Sequence, residues 1–199
     1  MRILIIIPAY NEALNIKRVV DNLSCNYPQY DYVIVNDGSK DSTAAICREN
    51  GYNLIDFPVN LGLSGAVQAG MRYAVKNGYD AAVQFDGDGQ HRPEYIATLA
   101  TEIENSKAEI VIGSRFVTEK KEHILRMAGS NILSCIIKLP TGTRIQEPTS
   151  GMHMFSNKIL QEFAYDMNYG PEPDTISYLI KQGGKVKEVQ VTMDERIAG

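Results

Sequence analysis

The chain has 199 residues, of which 44% are hydrophobic and 22% are charged, a composition typical of a globular protein. This length suits one well-buried domain, so we expect a single domain over residues 1–199. The 20 basic and 24 acidic side chains give a formal net charge of −4 without a long basic run, which weighs against a nucleic-acid partner. No apolar run approaches the roughly 18 residues of a membrane span. We therefore expect a cytoplasmic protein, with contact at the inner face of a membrane left open.

The cysteines are odd in number and far apart, at positions 25, 47 and 135. They form no CxxC pair, which a zinc or redox site would favour. Their pattern is typical of buried thiols in a protein of a reducing compartment.

Strand and helix patterns alternate along the chain. Strands are predicted over Ile3–Ile7, Tyr30–Val35, Tyr52–Phe57, Ala81–Phe85, Ile110–Gly113, Met152–Phe155 and Val186–Val191. Helices are predicted after a cap at Asn11, from Asp41 or Ser42 to Asn50, over Leu63–Ala74, over Pro93–Asn105, over Ile124–Leu139, over Lys158–Tyr165 and up to Gln182. The strand–helix alternation in the first half favours a mostly parallel sheet with right-handed crossovers.

A polar cluster follows each of the first four predicted strands. The clusters are Pro8–Glu12 (PAYNE), Asn36–Ser39 (NDGS), Asn60–Gly62 (NLG) and Asp86–His91 (DGDGQH). Because parallel strands end at the same edge of a sheet, these clusters are expected to gather where open α/β sheets bind their ligands.

The last of these clusters places two carboxylates two residues apart, Asp86 and Asp88, with a glycine on either side of Asp88. An Asp-Gly pair alone also fits a simple hairpin turn. A calcium-binding EF-hand loop is excluded because Gln90, His91 and Ala97 occupy positions where that loop needs other residues. The working hypothesis is a metal-bound diphosphate at this loop.

These clusters in this order resemble the family 2 glycosyltransferases of the GT-A fold, and the resemblance covers almost the whole chain. It is closest to the branch of dolichyl-phosphate mannose synthase and polyprenyl-phosphate glycosyltransferases, which share a GSR strand end at 113–115, a PTSG turn at 148–151 and a terminal RxxG at 196–199. The resemblance implies an α/β GT-A fold with a mostly parallel central sheet flanked by helices. It also implies a nucleotide-sugar-binding half over 1–116 and an acceptor-side half over 117–199.

The resemblance implies a set of donor-binding residues on the first three clusters. These are Pro8, Ala9, Tyr10 and Glu12 for the nucleoside, Asp37 for the base, and Asn60, Gly62 and Ser64 of the NxGxS segment. Glu12 would accept hydrogen bonds from ribose hydroxyls. Asn36 departs from the family pattern, which has a second aspartate there, but Asp37 is retained.

The remaining implied residues surround the reacting groups. Asp86 is expected to face the nucleotide-sugar, Asp88 and Gln90 to face a Mg²⁺ or Mn²⁺ ion, and Arg115 to lie near the phosphates or the acceptor. A hard cation with oxygen ligands would stabilise the diphosphate as it leaves. His91 next to this loop is balanced between a structural and a functional role, and His153 is expected to be structural.

The implied activity is inverting transfer of a sugar from a UDP-, GDP- or dTDP-linked donor. A polyprenyl phosphate acceptor is preferred, since its oxygen is already anionic and needs no base. Transfer to a sugar hydroxyl in cell-wall or surface polysaccharide synthesis is the alternative, and it would require a base among Glu147, Glu172 and Asp174. A polyprenyl acceptor would also give the helix over Ile124–Leu139 a membrane surface to contact, although a core-packing helix has the same pattern.

Two more distant hypotheses are weighed against this one. A nucleotidyltransferase would show a glycine-rich loop with a basic residue after the first strand, where this chain has Pro8–Glu12. An inactive nucleotide-sugar-binding scaffold is disfavoured because Asp86, Asp88 and Arg115 are all present.

Overall fold

The computed structural model describes residues 1–118, 134, 137–165 and 173–194. The strands are β1 (Ile3–Ala9), β2 (Asp31–Asn36), β3 (Leu54–Asp56), β4 (Ala81–Gln84), β5 (Ile110–Ser114), β6 (His153–Ser156) and β7 (Val186–Gln190). The helices are α1 (Ile16–Asn26), α2 (Thr43–Glu49), α3 (Gly62–Lys76), α4 (Tyr95–Ser106), α5 (Asn157–Tyr165) and α6 (Pro173–Lys181). Of the predicted helix over Ile124–Leu139, only Ser134 and residues 137–139 lie in the described part, and these are helical.

The strands form one seven-stranded sheet in the order β3-β2-β1-β4-β6-β5-β7. Strands β1 to β4 pair in parallel, as do β5 and β7. Strand β6 alone in this sheet runs antiparallel, and it lies between β4 and β5. The prediction of a mostly parallel sheet flanked by helices is confirmed, and the antiparallel strand β6 inside the sheet is a feature that it did not include.

Both faces of the sheet are covered by helices. Along β1, Leu4 and Ile6 pack toward one core cluster, which includes Val67 and Met71 of α3. Ile5 on the same strand belongs to a second cluster on the other face, with Val20 of α1 and Leu99 of α4. Each fully buried aliphatic side chain of this kind contributes roughly 1.5–3 kcal/mol of transfer free energy, which explains why β1 is apolar at every position.

Some local predictions were wrong. Helix α1 starts at Ile16 and not after Asn11, because Asn11 adopts a left-handed conformation with φ of 57°. Asparagine tolerates this conformation better than most residues. Strand β3 is shorter than predicted, and the Cys25 thiol is exposed, whereas Cys47 is buried as expected. Within the described residues, no helix has the length and apolar character required to cross a membrane.

Candidate active site

A pocket opens at the carboxyl ends of β1, β2 and β4, with a volume of about 320 Å³. Its lining comes from four separate loops and the first turn of α3. The lining residues are Pro8, Ala9, Tyr10, Glu12, Asp37, Asn60, Gly62, Leu63, Ala66, Asp86, Gly87 and Asp88. The structure therefore brings the four polar clusters predicted from the sequence together around one cavity.

The loops after β1 and β2 are joined by hydrogen bonds between side chains and backbone. The Asn11 amide donates to Ser39 Oγ at 2.9 Å, and the Lys40 amide donates to Asn11 Oδ1 at 2.8 Å. The Glu12 amide donates to Thr43 Oγ1 at 2.9 Å. Asn11 thus serves to connect the two loops, which is why its backbone leaves the helical region.

Asp37 connects the loop after β2 to the loop after β3. Its Oδ1 accepts the Leu61 amide at 2.7 Å, and its carbonyl accepts the Asn60 side chain at 3.1 Å. A Cβ added at Gly38 would lie 2.6 Å from the carbonyl carbon of Val59, so only glycine fits between these loops. We call the joined loops 8–15, 36–43 and 57–62 the donor rim.

Asn36 explains the departure from the family's double aspartate. Its amide nitrogen donates to Asp56 Oδ1 at 2.6 Å, while the other oxygen of Asp56 pairs with Arg48. An ionised aspartate at position 36 has no proton to donate and would face the Asp56 carboxylate. The asparagine therefore matches the neighbouring strand of this chain.

The loop after β4 presents Asp86 and Asp88 to the pocket. Asp88 Oδ1 accepts the Gln90 backbone amide at 3.0 Å, and Gly89 has a φ of 81°, so the loop turns tightly between them. Behind the pocket, Asp86 Oδ1 accepts Gln84 Nε2 at 3.3 Å, and Asp86 Oδ2 lies 3.2 Å from His91 Nε2.

Burial lowers the pKa of His153, which lies on β6 near these residues, to about 4. Asp86 opposes this shift and His91 adds to it. The His153 ring is therefore neutral at pH 7.

The segment after β7 is attached to the same loop. The Asp194 amide donates to the Gln90 carbonyl at 2.9 Å, and Arg92 donates to Asp194 Oδ1 from Nε at 2.8 Å and from Nη2 at 2.5 Å. Gln90 Nε2 lies 3.4 Å from the Asp194 carbonyl. We call this set of contacts the latch.

A second group of residues, at 113–118 and 145–151, forms what we call the acceptor rim. Glu147 is buried, and both of its oxygens are engaged by Arg115: Oε2 accepts the Arg115 amide at 2.7 Å, and Oε1 accepts Nε at 2.9 Å and also Nη2. Glu188 of β7 accepts the backbone amides of Gln146 at 2.7 Å and Glu147 at 2.9 Å. Ser150 Oγ donates to the Gly113 carbonyl at 2.5 Å.

The acceptor rim meets the loop after β4 at Gly151. A Cβ added there would lie 1.9 Å from Asp86 Oδ2 and 2.8 Å from His91 Nε2. The acceptor rim therefore packs directly on Asp86.

Several predicted site residues lie away from the pocket lining. Ser64 is in the first turn of α3 beside the pocket, and Gln90, Arg115 and Glu147 lie in the latch and the acceptor rim. Asp174 is exposed at the start of α6, where it lines a different cavity with Ile137 and Tyr178. Glu172 lies outside the described residues, as do Arg196 and Gly199 of the terminal RxxG.

Sequence reasoning did not identify Gln84, Glu188 or Asp194 as part of the site. Gln84 had a local signal, because it is a polar residue in an otherwise apolar strand that is buried at every position. Glu188 and Asp194 had none, since their partners lie 41 or more residues away in the chain.

The donor set at the pocket fits a hard divalent cation. Among the described residues, no three His, Cys, Asp or Glu side chains cluster closely enough to hold a metal ion. Mg²⁺ is usually held by one or two carboxylates together with substrate phosphates. Asp88 would supply a carboxylate, and a diphosphate in the pocket would supply further oxygens.

Solved structures with this architecture define the class. The chain superposes over its full length on glucosyl-3-phosphoglycerate synthase from Mycobacterium tuberculosis in complex with phosphoglyceric acid, with a TM-score of 0.73, 18% sequence identity and 73% of that chain covered. The complex of the same protein with Mn²⁺, UDP-glucose and phosphoglyceric acid gives a TM-score of 0.71 at 18% identity, with 100% of this chain and 72% of that chain covered. The fold is that of the GT-A glycosyltransferases, which confirms the predicted fold class.

Sequence comparison then identifies the family. The chain belongs to glycosyl transferase family 2, whose family model matches residues 4–164. It is 36% identical over 179 residues to UDP-N-acetylglucosamine–dolichyl-phosphate N-acetylglucosaminyltransferase of Methanococcus voltae, covering 80% of this chain and 71% of that protein. It is 29% identical to polyprenol monophosphomannose synthase of Mycolicibacterium smegmatis, covering 100% and 79%, and 28% identical to undecaprenyl-phosphate mannosyltransferase of Micrococcus luteus, covering 100% and 86%. The predicted family is confirmed, and the chain is a glycosyltransferase.

Proposed function

We propose that this protein is an inverting glycosyltransferase that moves a sugar from a nucleotide-diphosphate sugar to a polyprenyl phosphate. In this reaction a phosphate oxygen of the acceptor forms the new bond to the anomeric carbon. The bond from that carbon to the donor diphosphate breaks, and the nucleoside diphosphate leaves with both electrons. The observation that carries the proposal is that four loops and two carboxylates converge on one pocket at the strand ends.

The donor rim supports binding of the nucleotide. Asp37 and Glu12 line the pocket with their side chains held by neighbouring groups, Leu61 N in one case and Asn15 Nδ2 in the other. Groups fixed in this way before binding lose little conformational entropy when a ligand arrives. UDP-sugars are the donors to test first, because the relative from Methanococcus voltae is named for UDP-N-acetylglucosamine.

The loop after β4, which carries Asp86 and Asp88, supports cation-assisted departure of the diphosphate. Bound Mg²⁺ or Mn²⁺ would neutralise charge that develops on the leaving group. We assign Asp88 and Gln90 to the cation and Asp86 to the donor sugar. The latch restrains Gln90 from the side of β7, and the turn at Gly89 keeps Asp88 directed toward the pocket.

The acceptor rim favours a phosphate acceptor over a hydroxyl. A hydroxyl would require a base. Glu147 is the candidate base within the acceptor rim, but both of its oxygens are engaged by Arg115. Arg115 is about half exposed, with 47% of its side chain accessible, so its guanidinium can still meet an anion. A lipid phosphate would supply that anion and needs no base. The names of the three relatives all refer to polyprenyl or dolichyl phosphate acceptors or products.

The test is a panel of UDP-, GDP- and dTDP-sugars with undecaprenyl phosphate as acceptor, with and without Mn²⁺. We expect metal-dependent transfer that Asp88→Ala abolishes, with its folding checked by circular dichroism. Absence of metal-dependent nucleotide-sugar binding, with equal behaviour of the Asp88→Ala variant, would overturn the proposal. Transfer only to a sugar hydroxyl would keep the donor assignment and replace the acceptor, and Glu172→Gln and Asp174→Asn would then test the two remaining candidates for the base.

A further inference from the structure

We infer that His91 is a positioning residue for Asp86. In this role the His91 ring donates a hydrogen bond from Nε2 to the back of the Asp86 carboxylate, so that the front faces the donor sugar. The inference rests on the proposed function, which places Asp86 against that sugar. It gives a task to a buried histidine that the proposed reaction does not otherwise use.

The geometry separates a buried back from an open front. The His91 side chain is 3% exposed and the Asp86 side chain is 34% exposed. On the buried side, Asp86 Oδ2 lies 3.2 Å from His91 Nε2, and Asp86 Oδ1 accepts Gln84 Nε2 at 3.3 Å. Each carboxylate oxygen therefore has one donor behind it, while Asp86 still lines the pocket.

Hydrogen-bond accounting selects the tautomer of His91. Its other ring nitrogen, Nδ1, is buried without a hydrogen-bond partner among the described residues, and the ring packs on Phe85 with centroids 5.5 Å apart. A proton on Nδ1 would have no acceptor there, and the bare Nε2 lone pair would face a carboxylate. The proton therefore belongs on Nε2, where Asp86 accepts it.

Gly151 removes the space into which these groups could move. Any side chain at this position would overlap Asp86 Oδ2 and His91 Nε2, at 1.9 and 2.8 Å from the added Cβ. Because the acceptor rim is packed against this hydrogen bond, Asp86 has little room to rotate away from the pocket. Removal of the His91 donor would instead leave one carboxylate oxygen facing a buried surface without a partner.

His153 supplies the comparison within the same cluster. It is 1% exposed, and neither of its ring nitrogens has a hydrogen-bond partner among the described residues. A buried histidine that only fills the core should behave like His153. One that positions Asp86 should differ from it in the chemical step.

The experiment compares His91→Met, His91→Gln and His153→Met in the wild-type background, and His91→Met also in the Asp86→Asn background. Glutamine places an N–H close to the position of Nε2, whereas methionine fills the space without a donor. We expect His91→Met to lower kcat by roughly 10- to 100-fold, as removal of an outer-sphere partner of a site carboxylate or imidazole does. We expect His91→Gln to retain most of the wild-type kcat. The affinity for UDP, which lacks the transferred sugar, should change less than about twofold in either variant, because Asp86 acts on that sugar.

Three outcomes would overturn the inference. Equal kcat values for His91→Met and His91→Gln would show a space-filling role, as would a His91→Met loss that adds in full to the loss of Asp86→Asn. A readout independent of turnover is the tautomer: long-range ¹H–¹⁵N spectra should show the His91 proton on Nε2, and a proton on Nδ1 would contradict the assignment. If the wild type neither binds nor uses any nucleotide-sugar, the proposed function fails, and the tautomer measurement still decides the hydrogen bond.

Discussion

The donor rim and the acceptor rim are built from different chemistry. In the donor rim, short polar side chains such as Ser39, Asn11 and Thr43 exchange hydrogen bonds with backbone groups of the next loop. In the acceptor rim, Glu147 and the adjoining Glu188 of β7 hold a guanidinium and three backbone amides. The donor rim also uses the Asp37 carboxylate, which accepts a backbone amide, so the distinguishing feature of the acceptor rim is its ion pair between Arg115 and Glu147. Variants that remove charge should separate the two.

The largest expected effect is on the acceptor rim. Glu147→Ala removes both carboxylate oxygens that hold Arg115, and a displacement of about 1 Å of a group that meets the acceptor should lower transfer by about 100-fold. UDP affinity, measured by calorimetry, should stay within about twofold, because within the described residues the hydrogen bonds of Glu147 go to Arg115, Glu188 and Ser150 and not to the donor rim.

Glu109→Ala is the matched control for this variant. Like Glu147, Glu109 pairs with a basic side chain, in this case Lys158. Glu109 lies just before β5, at the opposite end of that strand from Arg115. Its loss should leave transfer unchanged. An equal loss of UDP affinity and of transfer in Glu147→Ala would show that the two rims are not separate.

The pH dependence of stability tests whether His153 of β6 is buried as a neutral ring beside Asp86 and His91. Its pKa of about 4 lies below the usual value near 6.5, so between these values the unfolded chain binds a proton that the folded protein excludes. Stability should therefore fall as the pH decreases, by about 2 kcal/mol between pH 7 and pH 5 from this group. Asp86 and His91 are the charged or titratable groups that influence the ring, and they act in opposite directions.

Urea unfolding at pH 7, 6 and 5 checks this expectation. The His153→Met variant should lose that part of the pH dependence while other groups continue to contribute. An identical pH profile in both proteins would show that His153 is not the group responsible.

Gly151→Ala tests the contact between the acceptor rim and Asp86. The added methyl group must displace Asp86 or His91, and a displacement of this kind should lower kcat by about 10-fold. Gly142→Ala is the matched control: Gly142 has a φ of 69° and nothing within 4 Å of an added Cβ. That variant should lose stability, by about 1 kcal/mol, and retain kcat. Equal kcat in both would mean that the acceptor rim can shift without disturbing Asp86.

The smallest expected effect belongs to the latch. Arg92 and Asp194 are 39% and 50% exposed, and exposed pairs of this kind contribute little to stability because water and salt screen them. Arg92→Glu should therefore raise the Mn²⁺ concentration needed for half-maximal activity by no more than about fivefold. The double variant Arg92→Glu with Asp194→Arg should restore it at low salt. If the exchanged pair fails to restore the Mn²⁺ requirement of the wild type, the latch does not position Gln90 for the cation.

Sequence reasoning reached the donor side more completely than the acceptor side, and the reason is physical. Asp37, Asp86 and Asp88 follow strands directly, so the rule that parallel strands end at one edge places them together. Glu188 and Asp194 depend on β6 and β7, whose positions in the sheet follow from long-range packing. The role of Asn11 was also missed, because its left-handed backbone is dictated by the loop after β2 and not by its own helix.

Strand β6 also constrains the order in which the protein can be assembled during synthesis. Strands β1 to β4 can pair as soon as residues 1–84 are available, but β5 pairs only with β6 and β7. The backbone hydrogen-bonding groups of newly made β5 therefore remain without a partner strand until residues 153–156 have been synthesised. Such unpaired strands are where aggregation competes with folding. A nascent chain stopped after residue 118 is thus expected to hold a four-stranded sheet and an unpaired fifth strand that a chaperone would recognise.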